Sequence, residues 1–197
     1  MNSNNLLGHH NQSLCGAAGG GGLAAAALVA AGWRSLAEWL TESGFAVVWR
    51  GGRVEDKIAA TIDTDVRCAS YAGKFELPQL WHLLQDAALL VCPDSRVAHF
   101  GCLTNTPMVT LFGPGSVVLV GAGEFWRESP FCAVTLDNYP YRAQRTLFKR
   151  EIAWLRRCQR TLKECPRATC SEALNFESVK SAAERLQRSP RAFTVDG

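Results

Sequence analysis

The residues best equipped for chemistry lie in Ala88–Pro114 (ALLVCPDSRVAHFGCLTNTPMVTLFGP). An apolar run ends at Cys92, and Pro93-Asp94-Ser95 turns the chain into an expected helix, Ser95–Thr104. Asp and Ser are favoured at a helix N-cap because their side-chain oxygens accept otherwise unpaired backbone N–H groups. The same helix start offers free N–H donors and a positive dipole end, which suits a phosphate. His99 follows Ser95 by four residues, so an imidazole projects from the same helix face one turn away. There it could meet a sugar or a diphosphate oxygen. The plainer alternative is a capping aspartate and an ordinary partly buried histidine.

Such a turn needs a sheet to hold it. Ala88–Cys92 and Pro107–Phe112 read as buried strands on either side of the helix, with Gly101 permitting close helix–sheet packing. Upstream, Phe45–Trp49 is a Val-rich strand, Gly51-Gly52 a turn and Val54–Ile62 a helix. Val66–Tyr71 reads as a strand and Leu77–Ala87 as an amphipathic helix begun by Pro78. Leu23–Leu40 carries Trp33, Leu36, Ala37 and Leu40 at helical steps and ends at Ser43-Gly44. Gln144–Arg160 reads as a basic amphipathic helix, with Phe148, Ile152 and Leu155 as its apolar stripe. Phe176–Leu186 reads as the closing helix. Alternating helices and strands on short connections predict an α/β fold, a Rossmann-like parallel sheet flanked by helices. In such a sheet, ligands bind beyond the carboxyl ends of the strands, which is where Asp94 and Ser95 fall.

Residues 1–22 are polar and then Gly-rich, ending in four glycines at Gly19–Gly22, and are expected to be a disordered tail. His9 and His10 in that tail carry no metal reading. The folded domain is expected over 23–190, with 191–197 as a second tail.

The composition is that of an ordinary globular protein: 47% hydrophobic and 20% charged among 197 residues. A net charge of +3 is too small for a nucleic-acid partner. It is unevenly spread, however: Arg142–Arg167 holds nine Lys or Arg against Glu151 and Glu164. That stretch is either a solvated face or a contact for acidic phosphosugars or an anionic membrane surface. The apolar run Leu23–Ala31 is far short of a membrane span, and no secretory signal is visible. The expected location is therefore cytoplasmic, with reduced thiols. Of the eight cysteines, Cys92 and Cys102 lie in apolar segments as small hydrophobes. Cys158, Cys165 and Cys170 cluster at spacings of seven and five, which do not match a zinc knuckle, so no metal is assigned.

The Asp94-Ser95-Arg96-Val97-Ala98-His99 run, followed by Thr106-Pro107-Met108-Val109-Thr110-Leu111-Phe112-Gly113-Pro114, resembles the signature of glycosyltransferase family 9. These are the ADP-heptose:lipopolysaccharide heptosyltransferases, whose pattern is Asp-Ser/Thr-Gly-x-x-His and then a Leu-Phe-Gly-Pro-like strand and loop. Phe45–Ile62 resembles the family's strand, Gly turn and acidic helix start, and Tyr71–Leu77 its Gly-Lys turn into a helix. The tail with Cys158, Cys165 and Cys170 also resembles some members. The resemblance implies the C-terminal, donor-binding half of a two-domain GT-B enzyme. Asp94, Ser95, Arg96 and His99 would then face the donor's diphosphate and sugar. By the same match Glu55 stands at the nucleotide ribose; the other reading of Glu55 is a surface helix glutamate.

The implied partners are an ADP-heptose-like nucleotide sugar and a lipopolysaccharide-core or related glycan acceptor, without cofactor. Two departures stand out. Nothing before Trp33 resembles the acceptor domain, so the catalytic base has no counterpart, and the chain alone is expected to be weakly active or inactive. The family's first donor-domain strand, with a lysine near the phosphates, looks replaced by the Gly/Ala-rich segment. Arg96 replaces the family's glycine, and either crowds the diphosphate or pairs with it bidentately. The alternative from another class is a non-catalytic Rossmann-like remnant that binds a nucleotide or a protein.

Overall fold

The computed structural model describes residues 12–16, 28–52, 56–65, 67–113, 115–136, 146–147, 150–151, 163–165 and 169–188. Among these, six parallel strands form one sheet: β1 (Gln12–Gly16), β2 (Ala46–Arg50), β3 (Ala69–Ser70), β4 (Ala87–Pro93), β5 (Met108–Leu111) and β6 (Phe131–Val134). Their spatial order is β3-β2-β1-β4-β5-β6. This is the doubly wound order, in which the crevice for a ligand opens beyond the carboxyl ends of β1 and β4, where the winding reverses. The expected α/β fold with a parallel sheet is what the chain adopts.

Among the described residues, seven helices connect and cover the strands: α1 (Ala30–Glu42), α2 (Asp56–Ile62), α3 (Leu77–Asp86), α4 (Arg96–Leu103), α5 (Val117–Val120), α6 (Thr169–Glu172) and α7 (Phe176–Arg188). Strand alternation divides the core in two. On one face Val47, Trp49, Leu89, Val91, Val109 and Leu111 pack against Trp33, Leu36 and Leu40 of α1 and Val179, Ala182 and Ala183 of α7. On the other, Val48, Leu90, Cys92 and Met108 meet Leu80 and Leu84 of α3 and Val97, Ala98 and Cys102 of α4. β4 is apolar almost throughout because it is covered on both sides.

Local chemistry sets the helix limits. α1 ends at Gly44, whose φ of 87° is a glycine conformation, and Phe45 N–H returns to Leu40 O. α3 begins with Pro78 in its first turn and with Gln79 Oε1 accepting from Glu76 N–H at 2.8 Å. Gly101 lets α4 lie close on the sheet, since a Cβ there would come within 2.8 Å of Met108 Sδ and 2.9 Å of Leu90 Cδ2.

Two sequence expectations are corrected. Residues 12–16, expected within a disordered tail at 1–22, form the central strand β1, paired in parallel with both β2 and β4. The doubly wound order requires a strand there, and a short polar strand is tolerated because both neighbours supply its hydrogen bonds. The helix expected over Gln144–Arg160 is interrupted near its start, since Thr146–Leu147 pairs antiparallel with Arg150–Glu151 as β7 and β8. Helical spacing is a weak prior that local pairing overrides. Phe148, Ile152 and Leu155 lie outside the described residues, as do Gly19–Gly22, His9, His10 and the 191–197 tail. The short α5 and strand β6 had no counterpart in the sequence reading.

Candidate functional site

β4 carries the chain to the switch-point edge and releases it at Pro93. Asp94 N–H still bonds to Leu111 O at 3.0 Å, which ties the turn to the end of β5. Ser95 then takes the N-cap position of α4 with extended backbone (φ −155°, ψ 172°). The expectation that its hydroxyl caps the helix does not hold. Ser95 Oγ makes no cap hydrogen bond, and it is buried with no protein partner. Ala98 N–H bonds to Ser95 O, so the N–H groups of Arg96 and Val97 are the leading donors of the helix.

Asp94 is half-buried beside the loop after β5, where a Cβ on Gly115 would collide with its carboxylate. The β4–α4 turn and the β5–α5 loop thus meet at one edge. Pro114 itself lies outside the described residues. Arg96 is exposed at the first position of α4, and His99 is exposed one turn on, while Val97, Ala98, Gly101 and Cys102 form the buried stripe. The structure therefore brings Asp94, Ser95 and Arg96 together, with His99 on the open side of the same helix. Glu55 falls outside the described residues. The turn before it is described: Gly73 N–H bonds to Gly51 O at 2.8 Å, which joins the loops after β2 and β3.

Two features of this edge were absent from the sequence reading. Arg50 ends β2, half-buried, on the same sheet face as Cys92, and its charge reaches the Cys92 thiol. Burial is the main influence on that thiol and pushes its pKa up to about 12. The signal for Arg50 was a cation closing an otherwise apolar strand. Beyond β3, the Tyr71 ring stacks on Phe75 (centroids 4.9 Å apart, planes 15° apart), and Tyr71 is partly exposed. An aromatic pair four residues apart, just past a strand, was the cue.

A separate cavity of about 150 Å³ opens on the α1–α2 side, lined by Arg34, Glu38, Trp49, Asp63, Arg67 and Cys68 among others. Among the described residues, Asp94, Ser95, Arg96 and His99 do not line it. Asp63 organises its wall. Burial raises the Asp63 pKa, but hydrogen bonds from the Arg67 and Cys68 N–H groups and the Trp49 indole outweigh this and leave it below the ordinary carboxylate range. Burial, reinforced by the Asp63 charge, lifts the Cys68 thiol to about 11. At the cysteine-rich end, Cys158 is outside the described residues, Cys170 is buried and Cys165 Sγ lies 3.7 Å from Thr169 Oγ1. Among the described residues no three His, Cys, Asp or Glu side chains are grouped to hold a metal ion, and no helix is long and apolar enough to cross a membrane.

Comparison with known proteins gives this geometry a context. Lipopolysaccharide heptosyltransferase 3 of Escherichia coli is 32% identical over 89 residues, 43% of this chain and 24% of that protein. Lipooligosaccharide heptosyltransferase 2 of Haemophilus ducreyi is 34% identical over 89 residues, 41% of this chain and 26% of that protein. The matched region thus spans about a quarter of these relatives' length. Among solved structures, a family 9 glycosyltransferase of Veillonella parvula superposes with a TM-score of 0.63 at 20% identity, over 89% of this chain and 46% of that one. The E. coli ADP-heptose lps heptosyltransferase II gives 0.67 at 16% identity, over 91% and 47%. An E. coli heptosyltransferase solved with ADP gives 0.60 at 17% identity, over 92% and 46%. The fold is thus that of about half of each of these enzymes. The profile of glycosyltransferase family 9 (heptosyltransferase) matches residues 28–147, more than half of the sequence, and the chain belongs to that family.

Proposed function

We propose that this chain is the donor-binding half of a heptosyltransferase-like enzyme. It would hold an ADP-heptose-like nucleotide sugar beyond the carboxyl ends of β1 and β4. The observation that carries the reading is Ser95. Its hydroxyl is buried, lacks a protein partner, and stands at the N-cap of α4 beside the Asp94 carboxylate. A buried hydroxyl without a hydrogen bond costs about 1–3 kcal/mol, so its retention points to a bound acceptor. The diphosphate of a nucleotide sugar is such an acceptor, and it also matches the free N–H groups of Arg96 and Val97. The exposed Arg96 and His99 extend the polar surface towards the sugar, with Glu55 the candidate at the ribose. The stacked Tyr71–Phe75 pair supplies a flat apolar surface suited to a base.

The acceptor is a lipopolysaccharide-core or related glycan, and the site needs no cofactor, because helix donors and side chains can hold the leaving diphosphate. Inverting transfer needs a base for the acceptor hydroxyl, and none is assigned on this chain. The chain alone is accordingly weakly active or inactive. The basic stretch Arg142–Arg167 would contact the anionic inner-membrane surface from the cytoplasmic side.

Calorimetric titration of the purified chain with ADP-heptose and ADP tests the reading. Saturable binding of both is expected, and binding of neither contradicts it. Turnover with a lipopolysaccharide-core acceptor by the chain alone would contradict the assignment of catalysis to a second half.

A further inference from the structure

The strand register puts an unexpected cation at the switch point. Arg50 on β2 pairs with Gly16 on β1, and Cys15 pairs with Val91, so the next residue of β1, Gly16, stands beside Cys92 of β4. Cys92 pairs in turn with Thr110 of β5. Registered neighbours in a sheet share a face, so Arg50, Gly16, Cys92 and Thr110 form one transverse row at the carboxyl ends of the strands. Glycine presents no side chain in that row. No β1 side chain therefore stands between Arg50 and Cys92 in that row, and the Arg50 charge acts on the Cys92 thiol two strands away. Its Nε is shut off from solvent while part of the residue stays exposed. Val48, Leu90 and Met108 are buried on the same face. Packing alone would favour a leucine there, because a half-buried cation carries a desolvation cost. A row ending in a guanidinium, at the crevice where ligands of such sheets sit, has a use for positive charge.

We infer that Arg50 is a diphosphate-binding residue, its guanidinium reaching across Gly16 to the nucleotide at the edge formed by Asp94 and Ser95. The inference deepens the nucleotide-sugar reading and rests on it. Guanidinium geometry matches two phosphate oxygens at once, and reduced solvent screening strengthens the attraction over that of a surface lysine.

The test is ADP binding by the full chain and its Arg50→Met and Arg50→Gln variants, each checked for a cooperative melt, at several salt concentrations. Removing a charged hydrogen-bonding group is expected to weaken ADP by about tenfold or more. It is also expected to flatten the dependence of affinity on salt, which a merely structural role would not alter. A variant that binds ADP as tightly as the parent, with the same salt dependence, overturns the role of Arg50 and leaves the site standing. A parent chain that binds no ADP overturns the nucleotide reading, and Arg50 with it. Should Arg50→Met fail to fold, the isopolar Arg50→Gln carries the comparison.

Discussion

Gly101→Ala is a sharp test of how α4 is held against the sheet. A methyl at Gly101 would sit 2.8 Å from Met108 Sδ and 2.9 Å from Leu90 Cδ2, well inside ordinary contact. Both neighbours are fully buried on strands, so neither has solvent to move into. Two effects oppose each other. Alanine in a helix interior is favoured over glycine by about 0.5–1 kcal/mol. Overpacking a well-filled core costs about 1–3 kcal/mol. The clash should win by about 1 kcal/mol, which corresponds to a Tm lowered by roughly 2–4 °C in a chain of this size. Urea denaturation followed by the fluorescence of the six tryptophans reads the effect. In a Met108→Ala background the same substitution should cost less, because the nearer obstacle is gone; a coupling of about 0.5 kcal/mol or more is expected. If Gly101→Ala stabilises the protein, or costs the same in both backgrounds, the close approach of α4 to β4 and β5 is not what holds this helix.

Three further outcomes follow from the same geometry. Ser95→Ala should stabilise the free protein by about 1–3 kcal/mol, since a buried hydroxyl without a protein partner is removed, yet weaken ADP by about threefold to tenfold, the worth of one hydrogen bond; a lower melting temperature with unchanged ADP affinity would refute this. Asp63 has a depressed carboxyl pKa, so its contribution to stability is complete above the ordinary carboxylate range and is lost as pH falls through the folded value. The stability gap between the parent and Asp63→Asn should therefore be constant near neutrality and shrink below about pH 4, and a gap that widens in acid would show the sign to be wrong. With its thiol near pKa 12, Cys92 should alkylate at pH 8 slower than a free thiol by on the order of a thousandfold, and become reactive in urea; rapid labelling of native Cys92 by mass spectrometry would contradict its burial.

Much of the architecture was legible because the strands around the site are strongly patterned. The doubly covered β4 reads as an unbroken apolar run, and Gly44 and Pro78 mark helix ends through backbone preferences that hold in any context. The strand–turn–helix holding Asp94 and Ser95 followed from the same cues. What escaped was set by tertiary partners. β1 has no apolar run of its own and becomes a strand only because β2 and β4 supply hydrogen bonds on both sides. The β7–β8 pair arises from a contact that helical spacing cannot reveal. Arg50 could not be placed near Cys92 without β1 between them, since the relation depends on register across three strands. Ser95 was expected as a cap from its residue type, but which group its hydroxyl faces is decided by the backbone, and here it makes no cap hydrogen bond.

Hydrogen exchange of the full chain with and without saturating ADP tests the nucleotide site most directly. The account predicts slower exchange over residues 93–99 and 115–116, where the N–H groups of Arg96 and Val97 and the loop beside Asp94 would meet the diphosphate. Protection confined to the cavity walled by Arg34, Asp63 and Arg67, with residues 93–99 unchanged, would contradict it.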